Sequence, residues 1–145
     1  VVKNNLSRWH QQLFSPSVQS GIIGAERLAG YRDGQVYIRG SMHTPFPQQA
    51  LTDAMDTFFD CLIAEKNAMV RAVLGHFMFV YIHPYMDGNG RLARFLMNTM
   101  LASGGFLWAV IHVDRRKQYF TALEKASAGG DIKPFARFVL SEIVP

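Results

Sequence analysis

Residues Asn67 to Ile82 are apolar on nearly every face of a helix, so other elements must surround this segment. It ends at His83-Pro84-Tyr85-Met86-Asp87-Gly88-Asn89-Gly90-Arg91-Leu92-Ala93-Arg94, and a second apolar-periodic segment runs on from Leu92 to Leu101. Within twelve consecutive residues stand a histidine, a carboxylate, two glycines around an asparagine and two arginines. Packing alone does not ask for such a cluster.

Pro84 biases His83 away from the α region, so the central helix should end there. Gly88 and Gly90 allow a tight loop whose amides converge on one point. A helix starting at Asn89 or Gly90 adds its unpaired N–H groups and positive dipole end, which favours a phosphate. Arg91 and Arg94 lie three apart, where both could hold phosphate oxygens. Asp87 beside a phosphate cradle calls for a cation, and Mg²⁺ bound by one carboxylate plus substrate phosphates is the usual solution. His83 is then the nearby group suited to act as general base at neutral pH.

The stretch resembles the signature of the Fic family, H-P-F-x-D/E-G-N-G-R-x-x-R, departing only at Tyr85, where the family has Phe. Gly34 to Pro47 is similar to that family's target-docking flap, and Arg116 to Phe138 to its closing helices. The resemblance implies an all-α Fic-fold helical bundle with a small β-hairpin flap. It also implies a protein adenylyltransferase, moving AMP from ATP to a Ser, Thr or Tyr hydroxyl of a target protein and releasing pyrophosphate. His83 would be the base, with Arg91 and Arg94 completing the catalytic set. Gly88, Asn89, Gly90, Arg91, Arg94 and Tyr119 would bind the nucleotide, and Asp87 would hold Mg²⁺. Ile38 to His43 would pair with the target's main chain. Tyr119 matches a family position near the adenine, and Ser127 stands where relatives often carry an asparagine. The family branch that phosphorylates its target departs from G-N-G, which this chain keeps.

Composition narrows the classes. Nearly half of the 145 residues are apolar and only 18% are charged, so the chain can bury a core and its composition argues against disorder. It reads as a single domain over 1–145, and the start at Val1 reads as a piece lacking an upstream segment. A net charge of +4 asks for an anionic partner, but no run of five basic residues occurs, so nucleotide phosphate is preferred over nucleic acid. No membrane insertion is implied. The single Cys61 suits the cytoplasm and, in an apolar helical pattern, should be a buried thiol.

Along the chain, Asn5 to Phe14 reads as a short helix followed by a polar loop, Ser15 to Gly21. Asp33-Gly34 between Tyr31-Arg32 and Val36-Tyr37-Ile38 signals a small hairpin. His43 reads as a surface residue. Helices follow at Gln48 to Glu65, Asn67 to Ile82 and Gly90 to Ser103, with His76 as a hydrogen-bonded core residue. Phe106 to Val113 should be extended, Asp114 should cap a helix through Ala126, and Asp131 should cap the last one, with Pro134 in its first turn.

Relatives are commonly restrained by an inhibitory helix of pattern S/T-x-x-x-E-G/N, whose glutamate pairs with the second arginine, here Arg94. Thr52 comes nearest but is followed by Asp56 and Thr57 at the last two positions. The helix is expected on a missing segment or an antitoxin partner. A non-catalytic phosphate sensor, another nucleotide donor, AMP removal and a homodimer remain open on sequence.

Overall fold

The computed structural model describes residues 1–143, and all of its regular elements are helices. They are α1 (Val2–Gln19), α2 (Leu51–Ala64), α3 (Ala68–Ile82), α4 (Asn89–Ser103), α5 (Arg116–Ser127) and α6 (Lys133–Glu142), with short 3₁₀ turns at Ala25–Leu28, Gln48–Ala50 and Val113–Arg115.

As its apolar composition requires, α3 lies at the centre, packed most extensively on α4 and also against α2, α5 and α6. Asn67 starts it by accepting from the amides of Met69 and Val70 at 3.0 and 3.2 Å. Gly75 lets α4 come close, because a Cβ there would stand 2.7 Å from Met100 Cε. Phe58, Phe79 and Phe135 are fully buried around this axis. Burial of each contributes about 2–3 kcal/mol, so Phe79→Ala, which also leaves a cavity, should cost about 4 kcal/mol.

Several expectations need correction. The polar loop at Ser15 to Gly21 is mostly helix, since α1 runs through Pro16 to Gln19. Leu6, His10 and Phe14 make one buried stripe at four-residue spacing, and Pro16 gives up only a single amide donor near the helix end. Cys61 is exposed, because the buried side of α2 is Leu51, Met55, Phe58 and Phe59 and Cys61 falls outside that stripe. Asp114 caps nothing; it sits inside the 3₁₀ turn Val113–Arg115. Asp131 does accept from the amide of Lys133 at 3.0 Å.

The β-hairpin is not formed. Residues 29–47 contain no strand, and the single β-bridge among the described residues joins Ala109 to Ile143. The carbonyls that a ladder would pair are taken by side chains instead. Arg32 donates to the carbonyls of Gly34 and Phe46, and the Gln35 amide donates to the Pro45 carbonyl at 3.1 Å. Pro45 and Pro47 have no N–H to offer. The flap is an extended loop.

Candidate active site

The site begins where α3 stops. His83 adopts φ 55° and ψ 60°, the only positive φ outside glycine among the described residues, and its amide still bonds the Phe79 carbonyl at 2.9 Å. A left-handed residue ends the helix and turns the chain into Pro84. The ring is fixed from the same helix. Nδ1 lies 3.2 Å from the Val80 carbonyl, which can only accept, so Nδ1 carries the proton. Nε2 is left as a bare lone pair. Burial is the main cause holding this imidazole below the ordinary histidine value, with the charges of Arg32 and His43 acting the same way and the Val80 hydrogen bond opposing. It is therefore neutral, and basic, at neutral pH.

Asn89 holds the loop together. It is buried, and its side chain accepts from the Tyr85 amide at 2.9 Å and donates to the Tyr85 carbonyl at 2.8 Å. Gly88 has φ +84°, and a Cβ there would press to 2.8 Å from the Phe14 ring, so both backbone and space require glycine. Beyond it α4 begins. Its first hydrogen bond from outside the helix is Leu92 N–H to the Gly88 carbonyl, which leaves the amides of Asn89, Gly90 and Arg91 without backbone partners. An anion is suited to that end.

Tyr85 takes the Phe position as a buried peg. Its ring stacks on His10 at 3.8 Å and 8° between planes. Burial pushes its hydroxyl pKa upward. The His10 Nε2–H in turn donates to the Asp87 carbonyl at 3.1 Å, tying α1 to the loop.

A cavity of about 250 Å³ lies beside the loop, lined mostly by apolar atoms. It brings together His83, Gly90, Arg94 and Tyr119, with Ile38 to Ser41 and His43 of the flap along one side and Glu124 and Ser127 of α5 along another. Asp87, Gly88, Asn89 and Arg91 are not in its lining. Arg91 stands outside, with its guanidinium 4.9 Å from the Phe14 ring centre and 3.7 Å from the Asp87 carboxylate. The two arginines diverge, although sequence spacing puts them on one turn. The Tyr119 ring is buried, and its hydroxyl shares a 3.0 Å hydrogen bond with His76 Nε2. His76 is fully buried, as expected of a core residue, and burial lowers its pKa to about 3. Ser127 spends its hydroxyl proton on the Leu123 carbonyl at 2.9 Å.

Among the described residues no cluster of three metal-ligating side chains occurs. Asp87 is one carboxylate with exposed oxygens, one of them accepting from the Gly88 amide at 2.6 Å. That donor set fits a cation brought in on phosphate oxygens and does not fit a resident metal cage.

Sequence reasoning missed Arg32 and Glu124, and misplaced His43. Arg32 is buried and reaches three segments, donating to the carbonyls of His83 at 2.7 Å, of Gly34 at 2.8 Å and of Phe46. Glu124 clasps the flap, accepting from the Ser41 hydroxyl at 2.5 Å and the Met42 amide at 2.7 Å. His43 is half-buried rather than on the surface, stacked on Tyr81 at 3.9 Å with its Nε2–H on the Tyr81 carbonyl. Arg32-x-Gly34 beside a proline-bearing extended stretch was the only local sign; the other contacts join residues far apart in sequence.

The chain can be set beside known proteins. The profile of the Fic/DOC family matches residues 3–101. "Protein adenylyltransferase Fic" of Nematostella vectensis is 41% identical over 113 residues, covering 75% of this chain and 26% of that protein. Its namesake in Drosophila willistoni is 39% identical over the same length, covering 22% of its own sequence. A solved single-residue variant of Fic-1 from C. elegans superposes with a TM-score of 0.78 at 26% identity, covering 96% of this chain and 39% of that one. The chain thus spans about a quarter of the length of the curated relatives it matches. With the loop, its neutral histidine and the helix N-terminus in place, the chain belongs to the Fic/DOC family.

Proposed function

We propose that this chain is the catalytic part of a protein adenylyltransferase, transferring AMP from ATP to a Ser, Thr or Tyr hydroxyl of a target protein. The observation that carries the reading is the bare Nε2 of His83 in a cavity shared with Arg94 and the first turn of α4. The names of the curated relatives support it.

In this reading the target hydroxyl gives its proton to His83 Nε2 as its oxygen attacks the α-phosphorus. A new O–P bond forms, the bond to the β-phosphate breaks, and pyrophosphate leaves with the bonding electrons. The free amides at Asn89, Gly90 and Arg91 stabilise charge growing on the phosphate oxygens, each such donor being worth roughly 3 kcal/mol at the transition state. Arg94, and Arg91 at the outer side of the loop, hold phosphate oxygens; Gly88 keeps the turn open for them. Tyr119 flanks the base end. Asp87 would hold Mg²⁺, which supplies charge neutralisation on the phosphates. The flap, Ile38 to His43, aligns the target by main-chain pairing.

Arg94 has no carboxylate partner among the described residues, which leaves it free for a phosphate or for an inhibitory glutamate from another segment or protein. No helix among the described residues is long and apolar enough to cross a membrane, and we assign the chain to the cytoplasm, where ATP is supplied.

The test compares ATP labelled on the α- or the γ-phosphate, with Mg²⁺ and cell lysate, for the wild type and His83→Ala. Protein label from α-ATP alone, requiring His83, is the expected result. Label from γ-ATP would mean phosphorylation. Bound nucleotide with no label from either would mean a sensor or a different donor.

A further inference from the structure

The helix α5 presents three stripes, and only two of them belong to the site already described. Tyr119, Ala122 and Ala126 are buried in the core. Phe120, Glu124 and Ser127 face the cavity and flap. The third stripe, Lys117, Thr121 and Lys125 at four-residue spacing, is exposed.

Two surface hollows share that third stripe. One, of about 710 Å³, begins at Gly40 and Met42 of the flap, crosses Phe120 and Glu124, and ends at Lys117, Thr121 and Lys125. The other, of about 460 Å³, contains the same Lys117, Thr121 and Lys125 and continues between α5 and α6 to Arg137 and Ser141. The first also shares Gly40, Phe120 and Glu124 with the active-site cavity, so three adjoining hollows form a stepped trough from His83 over α5 to the α5–α6 groove. Its near end is apolar, with Met42 86% and Phe120 49% exposed. Its far end is cationic.

The charges there are unbalanced. Both carboxylates of α5 and α6 are already engaged, Glu124 by the flap and Glu142 by Arg115 at 2.6 Å. Lys117, Lys125 and Arg137 have no ion-pair partner among the described residues. Three cations lining one groove repel one another unless an anion lies between them.

We propose that this trough is the docking surface for an extended segment of the target protein, with an apolar residue near the acceptor hydroxyl and an acidic run lying in the α5–α6 groove. The inference rests on the transferase reading and gives it a partner chemistry: an acidic peptide, whose carboxylates match spaced ammonium and guanidinium groups. Such charges set partner choice and encounter rate, so the interaction should weaken steeply with salt.

The test uses the whole 145-residue chain and a fluorescent peptide, one threonine and one leucine followed by eight glutamates, against the same peptide with eight glutamines. Anisotropy is read without ATP, so binding is scored independently of AMP transfer. The glutamate peptide should bind at least about tenfold more tightly. Combining Lys117→Glu, Lys125→Glu and Arg137→Glu should abolish that difference, while melting temperature and binding of a fluorescent ATP analogue stay unchanged. Arg8→Glu with Lys66→Glu, placed elsewhere on the surface, should leave peptide binding as it was. Equal binding of the two peptides, or binding that survives the triple variant, would overturn the proposal. So would polyuridylate binding more tightly than the glutamate peptide through the same three residues, since the groove would then be a nucleic-acid surface. A peptide that binds as expected but takes no label from α-ATP would sink the transferase reading and leave the groove standing.

Discussion

The loop 83–90 and the flap 36–47 face the same cavity but are held in opposite ways. The loop has a set of near ties: Val80 orients the His83 ring, Asn89 ties down Tyr85, and Asp87 bonds the next amide, with Arg32 and His10 adding distant bonds to the His83 and Asp87 carbonyls. The flap is fixed from far away, by Arg32 at Phe46, Glu124 at Ser41 and Met42, and His43 on Tyr81. The loop's geometry thus has a strong local component, and the flap's rests mostly on residues far along the chain. Damage should therefore separate between them, except at Arg32, which reaches both.

The largest effect is expected from His83→Ala, which should lower AMP transfer about 10²–10⁴-fold while fold and nucleotide binding persist. A rate unchanged by this variant would remove the histidine from the reaction. Next comes Arg32→Met, which strips the donor from carbonyls of both regions at once. We expect about 3 kcal/mol loss in urea unfolding, since buried acceptors are left unpaired. Loss of stability without loss of transfer would show that Arg32 supports only the fold. Asn89→Ala should cost about 2 kcal/mol and drop transfer more than target binding, because it loosens the loop alone.

Proton uptake gives a finer test. His76 is held neutral in the fold with a pKa of about 3, against an ordinary value of 6.5, so the unfolded chain binds more protons between those values. Stability should be complete above pH 6.5 and fall by roughly 1 kcal/mol per pH unit below it. His76→Phe should reduce that slope in thermal melts and leave the share contributed by His10 and His83, whose pKa values burial also lowers. Smallest of all is Glu124→Gln, which keeps the clasp's acceptor but loses its charge. It should raise KM for the target a few-fold and leave stability within about 0.5 kcal/mol, as befits a partly exposed contact.

The same contrast explains what could be read from the chain beforehand. Apart from the end of α1, the helices and the turn after α3 follow from periodicity and from Pro84, Gly88, Asn89 and Gly90, whose requirements act within a few positions. The absent hairpin does not. Asp33-Gly34 is a sound turn signal, yet Arg32 captures the carbonyls that a ladder would need, and no local pattern announces a side chain that reaches Phe46. Pro16 and Cys61 teach a related point. The stripe Leu6, His10, Phe14 outweighs one proline, and a thiol in an apolar helix is exposed when its position falls off the packed side. The divergence of Arg91 and Arg94 is a matter of side-chain direction, which spacing on a turn leaves undetermined.

The left-handed end of α3 has an energetic consequence for the proton itself. His83 stands at the C-terminus of a fifteen-residue helix, where the last carbonyls carry partial negative charge. Before reaction, burial keeps the ring neutral. Once a proton arrives, the new imidazolium sits against the negative pole of the helix and its Nδ1–H bond to Val80 strengthens, an interaction worth up to about 2 kcal/mol in partly buried sites. In the proposed reaction the negative end of one helix would thus steady the cation formed on His83, while the positive end of the next, α4, would face the phosphates. Opposite charges are accommodated by two backbone dipoles meeting at a single turn.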